Sequence, residues 1–299
     1  MCIIGFSLMN GWLILDKSEG MTSTQSGSAI KRIFGQKKIG HAGTLDPFAS
    51  GVLPLALGEA TKTMQYLMNR PKAYRFILSF GAQTSTGDTE GEVIATSQHR
   101  PTTDDIQSAL SLFTGSIQQT PSVYSAIKIK GKPAYARARA GETIDMPSRQ
   151  VEIYDLILEN YEGENATFNV RCGTGTYVRS LGRDLALHLG TVGYLTMLQR
   201  TCVGPFDITR AISLENIRKI SDTALACVLL PIGSVLDDIP AVSVSLQKAA
   251  KIRHGQAVEI DQGNALGVSV WCDNGLINEL VALGHVIDNM FYPDRVFNI

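Results

Sequence analysis

The sequence predicts an α+β fold. Three observations point to it. Strand-like segments outnumber helical ones, helices lie scattered between them, and no regular βαβ rhythm runs through the chain. The 299 residues suffice for one large domain, or for a large domain with a small companion. Apolar residues make up 44% and charged residues 18%, the balance of a folded chain rather than a disordered one.

Taken in order, residues 12–16 read as a first buried strand closed by the turn-like KSEG. Thr22 or Ser23 then caps a helix reaching about Phe34, with Ala29, Ile30 and Ile33 at helical spacing. A glycine-rich loop is expected over residues 40–51, an apolar run over 52–57 and a short helix over 60–68. The next segment alternates: Tyr74, Phe76, Leu78 and Phe80 share one strand face, while Arg75, Ile77 and Ser79 share the other. TSTGDTEGE, residues 84–92, is a polar loop. Thr102 caps a helix with Asp104 and Asp105 in its first turn, where carboxylates favour the helix dipole, and Gly115 ends it. Residues 117–150 hold short strand-like pieces and the basic stretch IKIKGKPAYARARAG, and 151–159 and 166–172 read as strands. GTGTYVRSLGRDLALHLG is a tight turn feeding a helix whose apolar stripe is Leu181, Leu185 and His188/Leu189, with His188 a packing or surface residue. A short turn and helix follow over 205–219. A composition shift near 228–240 predicts a boundary, with 9–235 as the large domain and 236–299 as a small β-rich module.

Bulk charge decides little. The net charge is −1, with 23 Lys and Arg against 20 Asp and Glu up to residue 230, and 4 against 8 beyond it. That slight basic excess is weak support for a polyanion partner. The five cysteines are scattered without a CxxC pair and read as cytosolic thiols rather than a disulfide frame or zinc site. The apolar N-terminus is short, lacks a basic leading region and reads as neither signal peptide nor membrane span; Met9 is a second candidate start. The absence of GxGxxG and GxxxxGK[ST] weighs against a nucleotide cofactor. The expected molecule is a cytoplasmic monomer with no cofactor, no metal, no membrane contact and no obligate protein partner.

Several residues are candidates for chemistry. Asp46 precedes Pro47, which keeps it in extended or turn geometry. Composition alone favours an Asx turn; the functional reading is a carboxylate held at a loop end to act as nucleophile or base. His41 is placed to donate to phosphate or ribose. Tyr74 opens its strand face as either a core or a site aromatic. Tyr177 and Arg179 straddle a helix start, where an arginine can orient a carboxylate or form an ordinary surface pair. Lys128, Lys130, Lys132, Arg137 and Arg139, with Tyr135 among them, either track a phosphate backbone or form a solvated face. The residues alone reach a polyanion-binding enzyme and stop there.

The ordered blocks carry further. GHAGTLDPFASGVLPLALGEATK resembles the signature of bacterial TruB-type tRNA pseudouridine synthases. WLILDKSEGMTS, KAYRFILSFG, TSTGDTEG, PSVYSAIKIKGKPAYARARAGE, CGTGTYVRSLGRDLA and LQRTCVGPF are similar to further segments of that family in the same order. The likeness is strong over residues 9–210 and weaker in the tail, which resembles a small PUA-related module.

The resemblance implies a pseudouridine synthase fold, with a mixed, largely antiparallel central sheet flanked by helices and a small C-terminal β-rich PUA-like module. It implies isomerisation of the T-arm uridine at tRNA position 55, with base flipping. Asp46 would be the catalytic aspartate, Tyr74 would stack on the base, and Arg179 would pair with Asp46. Tyr177 would line the pocket, Leu198 would lie against the uracil, and His41 would contact the RNA. Lys17 would shape the pocket, and Asp88 would lie near it. The 117–150 insertion would grip the T arm and the C-terminal module the acceptor end. Ser18, Tyr194 and Gln199 depart from the family's usual proline, histidine and arginine. Three other readings are a guide-dependent synthase of the H/ACA branch, a non-catalytic RNA-binding or folding protein, and a glycosidase with Asp88 as second carboxylate.

Overall fold

The computed structural model describes residues 9–125, 127–129, 131–134, 137, 140–142, 144–273 and 278–299, without the side chains of Lys128 and Pro133. Its frame is a ten-stranded mixed sheet. The main path runs, in spatial order, Ile212–Ser213, Gly11–Lys17, Ser50–Leu57, Gly193–Val203, Lys72–Phe80, Asn165–Cys172, Arg149–Glu162 and Gly115–Gln119. Two pairings are parallel: Gly11–Lys17 with Ile212–Ser213, and Ser50–Leu57 with Gly193–Val203. The other pairings on this path are antiparallel.

The pattern of each strand follows from what covers it. In the Gly11–Lys17 strand, Leu13 and Leu15 enter one apolar cluster while Trp12 and Ile14 enter another on the opposite face. Ser50–Leu57 divides the same way, with Leu53, Leu55 and Leu57 on one side and Val52 and Ala56 on the other. Strands covered on both faces read as unbroken apolar runs, and these two do. Lys72–Phe80 instead shows strict alternation of buried and half-buried residues, as its sequence predicts.

Two of the helices that pack on the first cluster bear on the site. Ser23–Ile33 starts at Thr22, which forms a capping box with Gln25. Val178–His188 buries Leu181, Leu185 and Ala186, and Leu189 packs against the same cluster as expected, while His188 packs edge-on against Phe113. Gly182 allows this helix to lie close on the sheet: a Cβ there would sit 2.5 Å from Leu195 Cδ1. That approach sets where the helix start, and hence Arg179, meets the sheet.

Several expected boundaries are corrected. The loop over 40–51 is flanked by pairing on both sides, since Ile39–His41 is a strand and Ser50 and Gly51 already belong to the next. The helix over 60–68 is a 3₁₀ turn, Gly58–Thr63, followed by an α-turn, Met64–Met68. Gly115 opens an edge strand, and the preceding helix has already ended at Ala109. The 205–219 segment holds short strand pieces as well as its helix, Leu214–Ile217. The strand Gly193–Val203, between the two halves of the sheet, has no counterpart in the sequence reading.

Residues 241–296 build a separate five-stranded sheet with the Leu246–Arg253 helix against it. It is docked by apolar contact. Leu280, Leu283 and Phe297 join the cluster around Trp12, and Lys62 Nζ donates to Val296 O at 2.7 Å.

Candidate active site

The segment Gly43–Pro47 is held along its backbone. Ser23 Oγ accepts from Leu45 N at 2.8 Å and donates to Leu45 O at 3.1 Å. Lys17 Nζ donates to Pro47 O at 3.2 Å, and also to Ser18 O and Met21 O. Gly20 N donates to the same Pro47 carbonyl, 2.9 Å. Arg200 donates to Gly43 O at 3.1 Å and Thr44 O at 3.4 Å. With both neighbours tied, the Asp46 side chain is aimed before anything binds, which is how a fixed element supplies preorganisation.

Arg179, the second residue of its helix, is 5% exposed and bridges two carboxylates. Its Nη2 lies 2.9 Å from Asp46 Oδ2 and its Nη1 lies 3.0 Å from Asp88 Oδ2. Thr86 O and Tyr124 O accept its remaining bonds at 2.9 and 3.2 Å. Asp88 is buried and also accepts from Glu90 N at 3.0 Å and from the Thr86 hydroxyl. Burial pushes the Asp46 carboxyl above its usual value, while the Arg179 charge pulls it back.

Asp46 opens into a cavity of about 370 Å³ lined by Tyr74, Leu198, Tyr177, Arg179, Arg200, Lys72 and Arg149, among others. Tyr74 and Arg200 are directly opposed across the central strand pair, and Phe76 opposes Leu198. Burial raises the Tyr74 phenol, while the Arg200 charge opposite it pulls the phenol back. Tyr177 is clamped by Gln119, which accepts from its N–H at 2.8 Å and donates to its carbonyl at 3.1 Å. The Arg149 guanidinium lies 4.8 Å from the Tyr177 ring centroid.

The structure thus gathers Asp46, Tyr74, Tyr177, Arg179 and Leu198 around one cavity. Lys17 and Asp88 stand behind its wall as supports of Pro47 and Arg179. His41 pairs in the Ile39–His41 strand and is not among the lining residues; its Nδ1 is buried with no hydrogen-bond partner among the described residues. Burial, then Arg200, lowers its imidazole. Lys132 is exposed on a two-strand hairpin away from the lining, and Arg137 pairs with Glu142. The Lys128 side chain, Lys130, Tyr135 and Arg139 lie outside the described residues. The surface-pair reading of Arg179 is overturned by its burial. Sequence reasoning missed Arg200, Lys72, Arg149 and Gln119. The signal for Lys72 was position: it stands two residues before Tyr74 on the alternating face.

A carboxylate fixed by an arginine at the wall of an aromatic, cation-lined cavity is the equipment of an enzyme that attacks or deprotonates a bound substrate. The family model "TruB family pseudouridylate synthase (N terminal domain)" matches residues 31–178, and "tRNA pseudouridylate synthase B C-terminal domain" matches 179–237. A tRNA pseudouridine synthase B of Nitrobacter winogradskyi is 45% identical over 97% of this chain and 83% of its own length. That of Sinorhizobium medicae is 42% identical over 97% and 96%. Among solved structures, a chain of a Cbf5–Nop10–Gar1 complex superposes with a TM-score of 0.71 at 25% identity, covering 97% of this chain and 85% of that one. The fold is that of a pseudouridine synthase, an isomerase. The chain belongs to the TruB family of tRNA pseudouridine synthases.

Proposed function

We propose that this chain isomerises the T-arm uridine at tRNA position 55, with Asp46 as the reacting carboxylate. The observation that carries this reading is the Asp46–Arg179 ion pair facing a cavity walled by Tyr74, Leu198 and Tyr177. The reacting atoms of a uridine lie inside the nucleotide, so the base must leave its stack and enter such a cavity.

The reaction breaks N1–C1′, turns the base and forms C5–C1′. Atoms balance, so it needs no redox cofactor. Asp46 serves by attacking C1′, by removing the C2′ proton, or by adding to C6 of the uracil. Arg179 keeps Asp46 ionised and aimed, and Asp88 holds Arg179 from behind. Tyr74 stacks on the base and relays the C5 proton, Leu198 and Tyr177 confine the detached uracil, Lys17 shapes the wall and His41 contacts the RNA.

In this reading residues 9–235 are the catalytic domain and 236–299 an RNA-binding module that reaches the acceptor end. The 117–150 insertion, with Lys128, Lys130 and Lys132, grips the T stem-loop by shape and phosphate. The protein acts alone in the cytoplasm. A guide-dependent mode has the 0.71 superposition in its favour. The 45% identity over nearly the whole chain to a tRNA pseudouridine synthase B weighs more.

The test is incubation of unmodified tRNA with the purified protein, followed by mapping of pseudouridine. Product at the T-loop uridine alone is expected, and Asp46→Ala abolishes it while tRNA binding is largely kept. Product elsewhere overturns the substrate. Full activity of Asp46→Ala overturns the site, and binding without product in the wild type favours a non-catalytic RNA-binding protein.

A further inference from the structure

Five charged side chains are buried among the described residues: Lys17, Lys72, Asp88, Arg179 and Arg200. Lys72, Arg179 and Arg200 line the Asp46 cavity, Lys17 and Asp88 stand behind its wall, and four of the five are cations. Asp46 and Asp88 are both engaged by Arg179. Arg200 and Lys72 have no ion pair among the described residues. Arg200 donates to the carbonyls of Val52, Gly43 and Thr44, and Lys72 Nζ donates to those of Met68 at 3.0 Å and Arg70 at 2.9 Å. These bonds occupy part of each donor set and pair neither charge with a carboxylate, an arrangement a fold keeps only at a cost.

The neighbouring groups cancel it only in part: Asp46, already paired with Arg179, acts on Arg200 through its charge without an ion pair. The Cys172 thiol beside Lys72 is pushed up to about 11 by burial and stays protonated. Lys17 faces Asp46, Glu19 and Glu90, so its charge is offset elsewhere. Arg200 and Lys72 converge from adjacent strands. A Cβ placed on Gly43, three residues before Asp46, would meet Arg200 Nη1 at 3.5 Å and Lys72 Cε at 3.6 Å. Both line the cavity together with Tyr74.

The uracil base of the bound nucleotide is neutral and has no use for this charge. Cleavage of N1–C1′ creates the use: the bonding pair stays on N1, and uracil separates as an anion delocalised over N1, O2 and O4. Asp46 meanwhile bonds to C1′ or takes the C2′ proton. C5 then bonds to C1′ as the carboxylate leaves or returns its proton, C5–H is given up, and N1 is protonated, with no oxidant or reductant. We infer that Arg200 and Lys72 form a cationic wall that holds the detached uracil as an anion, so that the cavity complements the cleaved base rather than the bound uridine. Such an arrangement raises rate without tightening substrate binding. Arg200 is also a positioning residue, through the carbonyls preceding Asp46. The inference rests on uridine isomerisation as proposed above.

The experiment compares single-turnover rates on full-length tRNA carrying uridine or 5-fluorouridine at the target position, followed as loss of the parent nucleoside. Fluorine withdraws electrons and stabilises the departing anion, so less help is needed from the protein. On uridine, Arg200→Gln and Lys72→Gln are expected to slow the reaction about 100-fold with tRNA affinity little changed. Arg200→Lys, which restores the charge, recovers about 10-fold of that loss, and 5-fluorouridine shrinks the deficit of both glutamine variants by about 10-fold. Equal deficits on the two substrates overturn the proposal, as do near wild-type rates or an Arg200→Lys variant as slow as Arg200→Gln. Where Arg200→Gln has a lowered unfolding midpoint, Lys72→Gln and Arg200→Lys decide by the same criteria. A wild-type protein that converts neither substrate sinks the isomerase reading, and this inference with it.

Discussion

Arg179 is the residue on which the site's electrostatics turn, because one guanidinium serves both carboxylates. Its charge opposes the burial that raises the Asp46 carboxyl. Removing it in Arg179→Met therefore moves that carboxyl further up, and the acid limb of the rate profile shifts to higher pH, besides a large loss of rate. A pH–rate series under single-turnover conditions checks this; an acid limb left in place means Arg179 does not set the ionisation of Asp46. Lys17 makes a second, opposite statement through stability. Burial lowers its ammonium from 10.5 to about 8. Between those values the unfolded chain binds more protons than the folded one, so this residue's contribution grows more favourable as pH rises from about 8 to about 10.5. Lys17→Met lacks that slope. Urea unfolding of both proteins across the window should show the wild type gaining on the variant with pH, and parallel curves would remove Lys17 as the source.

At the scale of elements, the parallel contact between Ser50–Leu57 and Gly193–Val203 brings Arg200 beside the Asp46 loop. Gly51 makes it possible. Its φ is +99°, and a Cβ there would stand 2.3 Å from Arg200 O. Gly51→Ala should cost about 2 kcal/mol or more from backbone strain and collision, and should lower the rate by displacing Arg200. Unfolding midpoint and rate falling together support this; a variant as stable as wild type refutes it. The same strand explains what the sequence hides. Lys72–Phe80 alternates cleanly, so it was legible. Gly193–Val203 carries register shifts between Leu195 and Met197 and between Arg200 and Cys202, and turns an arginine inward. Two irregularities in eleven residues erase the period of two on which strand reading depends. Asp88 was named by the resemblance, but its burial was hidden differently. TSTGDTEGE is polar throughout and reads as solvated, yet Arg179, Thr86 and Glu90 satisfy its carboxylate in the interior. Asp46, Tyr74, Tyr177 and Arg179 were visible because the resemblance gives them roles; Lys72 and Arg200 lie in the similar blocks KAYRFILSFG and LQRTCVGPF, but nothing in the sequence shows them turned inward.

For the whole molecule, the question is whether the two sheets unfold together. Each holds one of the two tryptophans, Trp12 in the large sheet and Trp271 in the small one. The cluster around Trp12 is shared: Leu280, Leu283 and Phe297 enter it from the C-terminal part, and Ile232 and Val235 from the segment between. Trp271 also packs on Gly233, where a Cβ would lie 2.2 Å from its ring. Polar ties run the same way, with Asn298 N donating to Glu59 Oε2 at 2.9 Å beside the Lys62–Val296 bond. A shared apolar core couples the stability of its two sides, so the contact should behave as interior rather than as a hinge. Phe297 is fully buried there. Phe297→Ala should cost about 3–5 kcal/mol, within the range for a buried phenylalanine, and the loss should fall on one cooperative transition. Fluorescence of Trp12 alone in Trp271→Phe, and of Trp271 alone in Trp12→Phe, should then report coincident urea midpoints, both lowered by Phe297→Ala. A midpoint for Trp271 that drops while that of Trp12 stays fixed would mean that the C-terminal sheet comes away by itself, and the cluster would then be a docking contact rather than a common core.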